Sequence, residues 1–235
     1  MVLLVLIEIK IERMSHLLSK SKYIRGLQCD RALWLDVHQP SLARYTRDQM
    51  RRFDAGRDFE YSFKSTFPDG VDISAELKRN VDAYPVLTAQ MLEKDGEIDL
   101  FEAGFQYNDV LVLADVVHKR HDGSLDIYEV KSGVELSETY KRDAALQHYV
   151  ISHCCEVSTF SLVYRDSKGG FVREELSYEL QLRHTEIEKH ISAMKQIVLA
   201  TAEPATPTGA HCLQPYACPY QHYCTQGIRQ MSLFG

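Results

Sequence analysis

Asp115 and Glu129 are two carboxylates on strand-like segments that one short turn joins. Residues 110–133 have the sequence VLVLADVVHKRHDGSLDIYEVKSG, in which two apolar runs flank a polar segment. The dipeptide Asp122-Gly123 inside that segment is typical of a hairpin turn. A turn centred on Asp122 pairs residues whose numbers add up to 244, and this register predicts that Asp115 faces Glu129.

Lys131 adds an amine to the two carboxylates. Residues two apart on a strand share a face, so Glu129 and Lys131 are predicted to point one way and Val130 into the core. Facing carboxylates repel each other, and a bound divalent cation would offset that repulsion, because hard cations take oxygen ligands. The alternative is a solvated sheet face with ordinary charges. Against that alternative stand flanking residues that predict buried strands: Leu111, Leu113 and Ile127.

Glu60 is a third candidate carboxylate, on a long predicted helix at residues 44–67. It stands in an apolar stripe that also contains Phe53, Phe63 and Phe67. A lone charge on an apolar face is costly, and Gly56, one turn earlier, removes side-chain bulk beside it. Both features suit a carboxylate delivered to a buried site. The alternative is a glutamate at the helix edge that extends to water.

The remaining pattern alternates helices with strands, as in an α/β chain. Residues 137–153 predict a helix that crosses over between two parallel strands. Pro85 should kink or split the helix that contains it. Glu102 is predicted to be either exposed or beside the candidate site. The predicted helices are 17–37 (one or two), 44–67, 75–94, 137–153 and 179–202, and the predicted strands outside the central hairpin are 98–106, 157–165 and 171–176.

Length and charge set limits on the class of protein. The chain has 235 residues, which predicts one domain or one domain with a small appendage, and its 45% hydrophobic content predicts a substantial core. The net charge of −6 counts mildly against a nucleic-acid partner. Residues 18–57 reverse the balance, with nine lysines and arginines against four aspartates. Such a basic stretch suits a phosphate backbone, and a solvated helix face is the alternative.

The first residues predict neither a membrane span nor a secretion signal. Their apolar run is short and is broken by Glu8 and Lys10. Met14 is an alternative start to Met1. A cytoplasmic location is therefore predicted, and in that compartment cysteines serve as metal ligands or core residues more often than as disulfides.

Three cysteines near the end of the chain, Cys212, Cys218 and Cys224, stand six residues apart. Three thiols this close in a reducing compartment predict a shared metal or cluster. Zinc sites usually contain C-x₂₋₄-C pairs, which are missing here, but zinc stays an alternative. The adjacent Cys154 and Cys155 are interpreted as core thiols. The histidines that could replace a failing cysteine ligand are His153, His211 and His222.

Together these motifs resemble the PD-(D/E)XK nucleases in their RecB-like form. The resemblance comprises Asp115, the run Glu129-Val130-Lys131-Ser132-Gly133, Gln147 on the following helix, and the segment from Gly56 to Glu60. The cysteines resemble those of the iron–sulfur branch, which includes CRISPR-adaptation and AddB-type nucleases. The nearest likeness is to an uncharacterised bacterial domain of that branch. The similarity extends from about Leu18 to Cys224.

The resemblance implies a fold and a domain plan. It implies a restriction-endonuclease-like α/β fold, with a mixed central sheet flanked by helices and a helical iron–sulfur region that joins the two ends of the chain. Residues 18–235 would form this nuclease domain, and residues 1–17 an N-terminal extension. The family often has histidine where this chain has Glu60, so the residue type departs from the pattern.

The resemblance also implies roles for particular residues. Asp115, Glu129, Lys131 and Gln147 would be catalytic. Mg²⁺ or Mn²⁺ would be held by Glu60, Asp115, Glu129 and the carbonyl of Val130. A 4Fe–4S cluster would be held by Cys29, Cys212, Cys218 and Cys224. Tyr216, Tyr220 and Tyr223 could stack on bases of single-stranded DNA, but packing around the cluster is the preferred interpretation.

The predicted activity is metal-dependent hydrolysis of DNA, with an exonuclease on single-stranded DNA favoured. Partners in repair, recombination or CRISPR adaptation would follow from the same resemblance, and a membrane partner is not predicted. Two alternatives stay open. One is an iron–sulfur module that binds nucleic acid without cleaving it, and the other is a zinc-stapled scaffold subunit of a larger complex.

Overall fold

A mixed seven-stranded sheet forms the centre of the molecule. The computed structural model describes residues 17–77 and 80–231. The strands are β1 (Leu18–Ser19), β2 (Val71–Asp72), β3 (Ile98–Tyr107), β4 (Val110–Lys119), β5 (Leu125–Lys131), β6 (Val157–Arg165) and β7 (Phe171–Glu175). Their order is β2-β3-β4-β5-β6-β7, and β1 pairs with β4 outside this path. The pairs β3–β4, β4–β5 and β6–β7 are antiparallel, and β1–β4, β2–β3 and β5–β6 are parallel.

Helices flank this sheet, so the predicted mixed α/β architecture is confirmed at that level. They are α1 (Lys20–Gln28), α2 (Asp30–His38), α3 (Arg47–Lys64), α4 (Ile73–Leu77), α5 (Tyr84–Leu92), α6 (Glu138–Ser152), α7 (Ser177–Gln181), α8 (His184–Leu199) and α9 (Gln221–Met231). Within residues 17–77 and 80–231, no helix has the length and apolar character needed to cross a membrane.

Two predicted helices are divided in the structure. The segment 75–94 contains the end of α4, a 3₁₀ turn and α5, and Pro85 lies in the first turn of α5. The predicted split of this helix is therefore confirmed, and Pro85 is tolerated because the first helical turn has no partner for its missing N–H. The segment 179–202 is divided after Gln181, where the Arg183 N–H donates a hydrogen bond of 3.1 Å to the Leu180 carbonyl.

The predicted hairpin register is confirmed. Val116 pairs with Tyr128 and Val117 with Ile127, and both sums are 244. At the opposite end of β4, Asn108 and Asp109 both have positive φ, of 51° and 58°, which matches a tight turn between twisted strands.

The two faces of the sheet carry different cores. Val117, Ile127 and Leu162 belong to the larger cluster, which includes buried residues of α1, α6 and α8. Their strand neighbours point the other way. There Val116, Val130 and Val163 pack with Phe59 and Phe63 of α3. The prediction that Val130 is buried is therefore confirmed, and α3 lies on the face opposite α6.

Candidate active site

Three carboxylates meet beside β4. Oxygen atoms of Glu60, Glu102 and Asp115 all lie within 4.8 Å of one another. Glu60 comes from α3, Glu102 from β3 and Asp115 from β4. Oxygen atoms at such spacing can share one hard divalent cation.

Glu102 joins this group because of strand register and a local backbone turn. Phe101 pairs with Val116 and Ala103 with Ala114, so Glu102 lies across from Asp115. Its φ of 53° is left-handed, which is unusual for glutamate and interrupts the regular alternation of side chains. The sequence alone did not decide whether Glu102 is exposed or lies beside the site. The turn at Asn108-Asp109 sets the strand register that places Glu102 opposite Asp115, so this turn was the available signal.

Lys64 neutralises part of this acidic group. Its Nζ lies 2.5 Å from Glu60 Oε1 and 2.5 Å from Glu102 Oε1. Burial opposes the charge of Lys64, but Glu102 and Glu60 hold its pKa above the ordinary value. Burial raises the pKa of Glu102, and Lys64 counters that effect. Lys64 follows Glu60 by four residues on one helix, which is the sequence signal that would have identified it.

Asp115 connects the carboxylate group to the next strand. It is 8% exposed, and its Oδ2 accepts a hydrogen bond of 2.7 Å from the Val130 N–H. The regular ladder between β4 and β5 ends at Val116 and Tyr128, one pair before Asp115 and Glu129, so the predicted pairing of those two residues lies outside it. Burial raises the pKa of Asp115 well above its ordinary value, and the nearby charge of Glu129 adds to the shift.

Glu129 is held by two lysines. It is 1% exposed, and its Oε1 accepts from Lys131 Nζ at 2.5 Å and from Lys20 Nζ at 2.9 Å. Burial alone would raise its pKa, but Lys131 and Lys20 hold the pKa below the ordinary value. Its other oxygen, Oε2, is buried without a hydrogen-bond partner among the described residues. Glu129 therefore interacts electrostatically with Asp115 and has one oxygen available, but it is not among the three carboxylates whose oxygens lie within 4.8 Å of one another.

Lys131 shares the predicted face with Glu129 and also contacts Asp143 of α6. Burial disfavours its charge, but Asp143 and Glu129 raise its pKa above the ordinary value. Gln147, one helical turn after Asp143, is fully buried on the predicted helix, and both of its amide atoms lack a partner among the described residues. Sequence reasoning missed Asp143, although its spacing from Gln147 places both on one face of α6.

The four cysteines of the predicted cluster line one cavity. Cys29 lies at the junction of α1 and α2, and Cys212, Cys218 and Cys224 come from the end of the chain. Burial raises the pKa of Cys29, Cys218 and Cys224, and neighbouring cysteines contribute to each shift.

The segment that bears these cysteines is tied to the helices that reach the active site. Gln28, the last residue of α1, donates from Nε2 to the carbonyls of His211 and Tyr216 at 2.6 and 2.7 Å. Gln49 of α3 donates to the Ala217 carbonyl at 2.9 Å. Both α1 and α3 therefore run from the cysteine segment to the carboxylates.

Within residues 17–77 and 80–231, His211 is the one further cysteine or histidine that lines this cavity. Cys154 is exposed and Cys155 half-buried, so the interpretation of Cys154 as a core thiol is wrong, because its helix ends at the surface. His153 stacks on Tyr107, with ring centroids 4.2 Å apart. His211 lines the cavity, and its Nε2 lies 3.7 Å from Cys212 Sγ.

The three predicted tyrosines have different environments. Tyr220 is buried and donates to Asp36 at 2.6 Å. Tyr223 is half-buried and donates to Glu203 at 2.9 Å. Tyr220 therefore packs in an apolar group that includes Cys29, Cys218 and Cys224, whereas Tyr216 is 46% exposed.

Comparison with known proteins gives little further information. No protein-family model matches the chain. No curated protein matches it significantly. Among solved structures, the chain is similar to one described as the crystal structure of SSO0001, with 12% identity, coverage of 89% of this chain and 85% of that chain, and a TM-score of 0.48. At that level the similarity carries no argument about function.

Proposed function

We propose that this chain is a metal-dependent nuclease of the RecB-like PD-(D/E)XK type that hydrolyses DNA, with single-stranded DNA favoured. One observation carries the proposal: Glu60, Glu102 and Asp115 bring oxygens within 4.8 Å of one another, and the Glu129–Lys131 ion pair acts electrostatically on Asp115. The same proposal includes a restriction-endonuclease-like form of the observed mixed sheet.

The residues present fit a divalent cation. Asp115 is buried with a raised pKa, and Glu129 Oε2 is buried without a partner among the described residues. A further cation would stabilise both. The site contains five carboxylates and three ammonium groups, which leave a charge of −2 when all are ionised. The members are Glu60, Glu102, Asp115, Glu129, Asp143, Lys20, Lys64 and Lys131. One divalent ion would neutralise them.

Glu60, Glu102 and Asp115 would hold Mg²⁺ or Mn²⁺, with Glu129 Oε2 and the Val130 carbonyl as further ligands. The bound ion would supply a Lewis acid that lowers the pKa of a water molecule and stabilises the departing oxygen. In the hydrolysis, the water oxygen bonds to phosphorus as the P–O bond to the sugar breaks. The water loses one proton to solvent, and the sugar oxygen takes one up.

The chain's own residues organise this reaction. Lys131 keeps Glu129 ionised and oriented through their 2.5 Å contact, and places a positive charge near the site. Gln147 supplies an amide whose buried polar atoms have no other described partner, so it can position Lys131 or the strand being cut.

Four cysteines line one cavity, and a 4Fe–4S cluster is its proposed occupant. Metal binding requires the thiolate form, and Cys29, Cys212, Cys218 and Cys224 line one space, so a metal there would replace the thiol protons. Zinc is the competing occupant. Metal analysis after anaerobic purification, together with the absorbance of the protein, distinguishes iron from zinc.

The nuclease proposal is tested on end-labelled single-stranded and double-stranded DNA with Mn²⁺. Asp115→Asn should reduce cleavage at least about 100-fold, because it removes a charged ligand. Asp58→Asn is the matched control, since Asp58 is exposed on α3 two residues before Glu60. Equal products from the parent and Asp115→Asn would reject the proposal and favour a nucleic-acid-binding module.

A further inference from the structure

Lys20, near the beginning of the described chain, reaches the active site. Its Nζ lies 2.9 Å from Glu129 Oε1, although 109 positions separate the two residues. The backbone around Lys20 is fixed, because Leu18 pairs with Val110 and its N–H donates to the Asp109 carbonyl at 3.0 Å. Lys20 is the first residue of α1, so its ammonium is placed by a strand and a helix together.

The two lysines that donate to Glu129 differ in how many of their N–H donors remain free. Lys131 is 16% exposed and donates to both Glu129 and Asp143. Its Nζ also lies 5.7 Å from the centre of the Tyr140 ring. Lys20 is 29% exposed, and Glu129 is the one hydrogen-bond acceptor found for its ammonium in the described part of the chain. An ammonium has three N–H donors, so Lys20 keeps donors that solvent or a ligand can reach.

A phosphodiester bound at the carboxylate group would bring negative oxygens close to these free donors. Lys20 is electrostatically coupled to Asp115, Glu129 and Asp143, so its charge acts at the centre of the site. Charge on the non-bridging oxygens of a phosphate is stabilised by a fixed cation, and the stabilisation is larger where water is excluded.

We propose that Lys20 is a second active-site lysine, which donates a hydrogen bond to a non-bridging oxygen of the scissile phosphate. Lys131 then serves chiefly to hold Glu129 and Asp143. This inference rests on the proposed nuclease function. Lys20 keeps its proton throughout, so the balance of the hydrolysis is unchanged.

A counter-ion to Glu129 is the competing role for Lys20, and the test separates the two. Lys20→Gln keeps an amide donor without the charge, and Lys20→Arg keeps the charge. Lys22→Gln is the matched control, because Lys22 lies on the same helix and its Nζ points to the Leu17 carbonyl at 3.4 Å. All variants are purified under conditions that retain any metal in the cysteine cavity. Their thermal unfolding is compared first.

The first measurement is binding of a fluorescein-labelled oligothymidylate with Ca²⁺ in place of Mn²⁺, at several salt concentrations. A lost phosphate contact lowers the slope of log affinity against log salt by about 0.7 for a single strand. Lys20→Gln should show this decrease, and Lys20→Arg and Lys22→Gln should not. The second measurement is cleavage with Mn²⁺, where Lys20→Gln should lower kcat/KM about 100-fold.

Parent-like salt slope and parent-like kcat/KM in Lys20→Gln would overturn the inference. A fall in kcat/KM that is matched by an equal fall in Mn²⁺ affinity, with an unchanged slope, would also overturn it, because Lys20 would then act only on Glu129. If Lys20→Gln does not fold, Lys20→Met, which also removes the charge, takes its place in both measurements and is judged by the same outcomes. Absence of cleavage by the parent protein would instead reject the proposed function.

Discussion

At the scale of single residues, the site is a balance of opposite charges in a confined space. Lys64 bridges Glu60 and Glu102, which are also the two residues that approach Asp115. A lysine in that position satisfies the carboxylates when no cation is bound. A metal ion that enters the group must therefore compete with the Lys64 ammonium for the same oxygens.

Lys64→Met should raise the affinity for Mn²⁺ about three- to tenfold, because the competing charge disappears. That factor corresponds to roughly 1 kcal/mol, as for a moderately strong ion pair. The methionine can still pack on Phe101, whose ring centre lies 5.8 Å from Lys64 Nζ. Titration of Mn²⁺ followed by electron paramagnetic resonance, without nucleic acid, measures the effect.

Lys168→Met is the control for that titration, since Lys168 is exposed in the turn between β6 and β7. Weaker Mn²⁺ binding by Lys64→Met than by this control would show that Lys64 orders the carboxylates instead of competing for them.

At the scale of elements, α6 links the active site to α8. One part of α6 supplies Asp143 and Gln147, and His148 beside them contacts His184 of α8, with Nδ1 and Nε2 2.8 Å apart. One ring must donate and the other accept, so this contact requires at least one neutral imidazole. Burial and His184 lower the pKa of His148 to about 4, while Glu175 acts weakly in the opposite direction.

The free energy of unfolding should fall as the pH decreases from about 6.5 to 4. In this window the unfolded His148 takes up a proton and the folded one does not, so protons favour the unfolded state. The full loss is about 3 kcal/mol, because folding lowers the pKa of His148 from its ordinary value to about 4. Urea unfolding at a series of pH values measures it.

His148→Gln should flatten that pH dependence, and His121→Gln should not, because the His121 side chain is 81% exposed. The same slope in the parent and in His148→Gln would contradict the assignment of the effect to the contact between α6 and α8.

At the scale of the whole molecule, the two ends of the described chain pack together around the cysteine cavity. Trp34 of α2 donates to the Ala200 carbonyl at 2.8 Å, and Tyr220 donates to Asp36 at 2.6 Å. Helix α1 has nine residues and is about 14 Å long, with Lys20 at one end and Cys29 capping the other. Loss of the proposed cluster should therefore loosen both the terminal packing and the active site.

Cys29→Ser should lower the Tm by about 5–10 °C, because it removes one ligand of the proposed cluster at nearly constant volume. Cys154→Ser should leave the Tm unchanged, since Cys154 is exposed and outside the cavity. Thermal unfolding followed by circular dichroism, before and after removal of metal by a chelator under reducing conditions, measures both. An equal Tm for Cys29→Ser and the parent would contradict a stabilising metal at this cavity.

Local sequence patterns determined much of the framework. The register of β4 with β5, the shared face of Glu129 and Lys131, and the helix that bears Gln147 all follow from periodicity and turn chemistry. These features depend on residues a few positions apart, so their physical cause is contained in a short stretch of chain. The position of Glu60 on α3 was predictable for the same reason.

Only the tertiary structure decided which charges share the site. Lys20 meets Glu129 because β1 docks on β4, and Glu102 enters the carboxylate group through a left-handed backbone at that one residue. Asp143 reaches Lys131 because α6 packs across the end of β5. Such contacts join elements that are distant in sequence, and their free energies depend on packing and burial, which local periodicity does not encode.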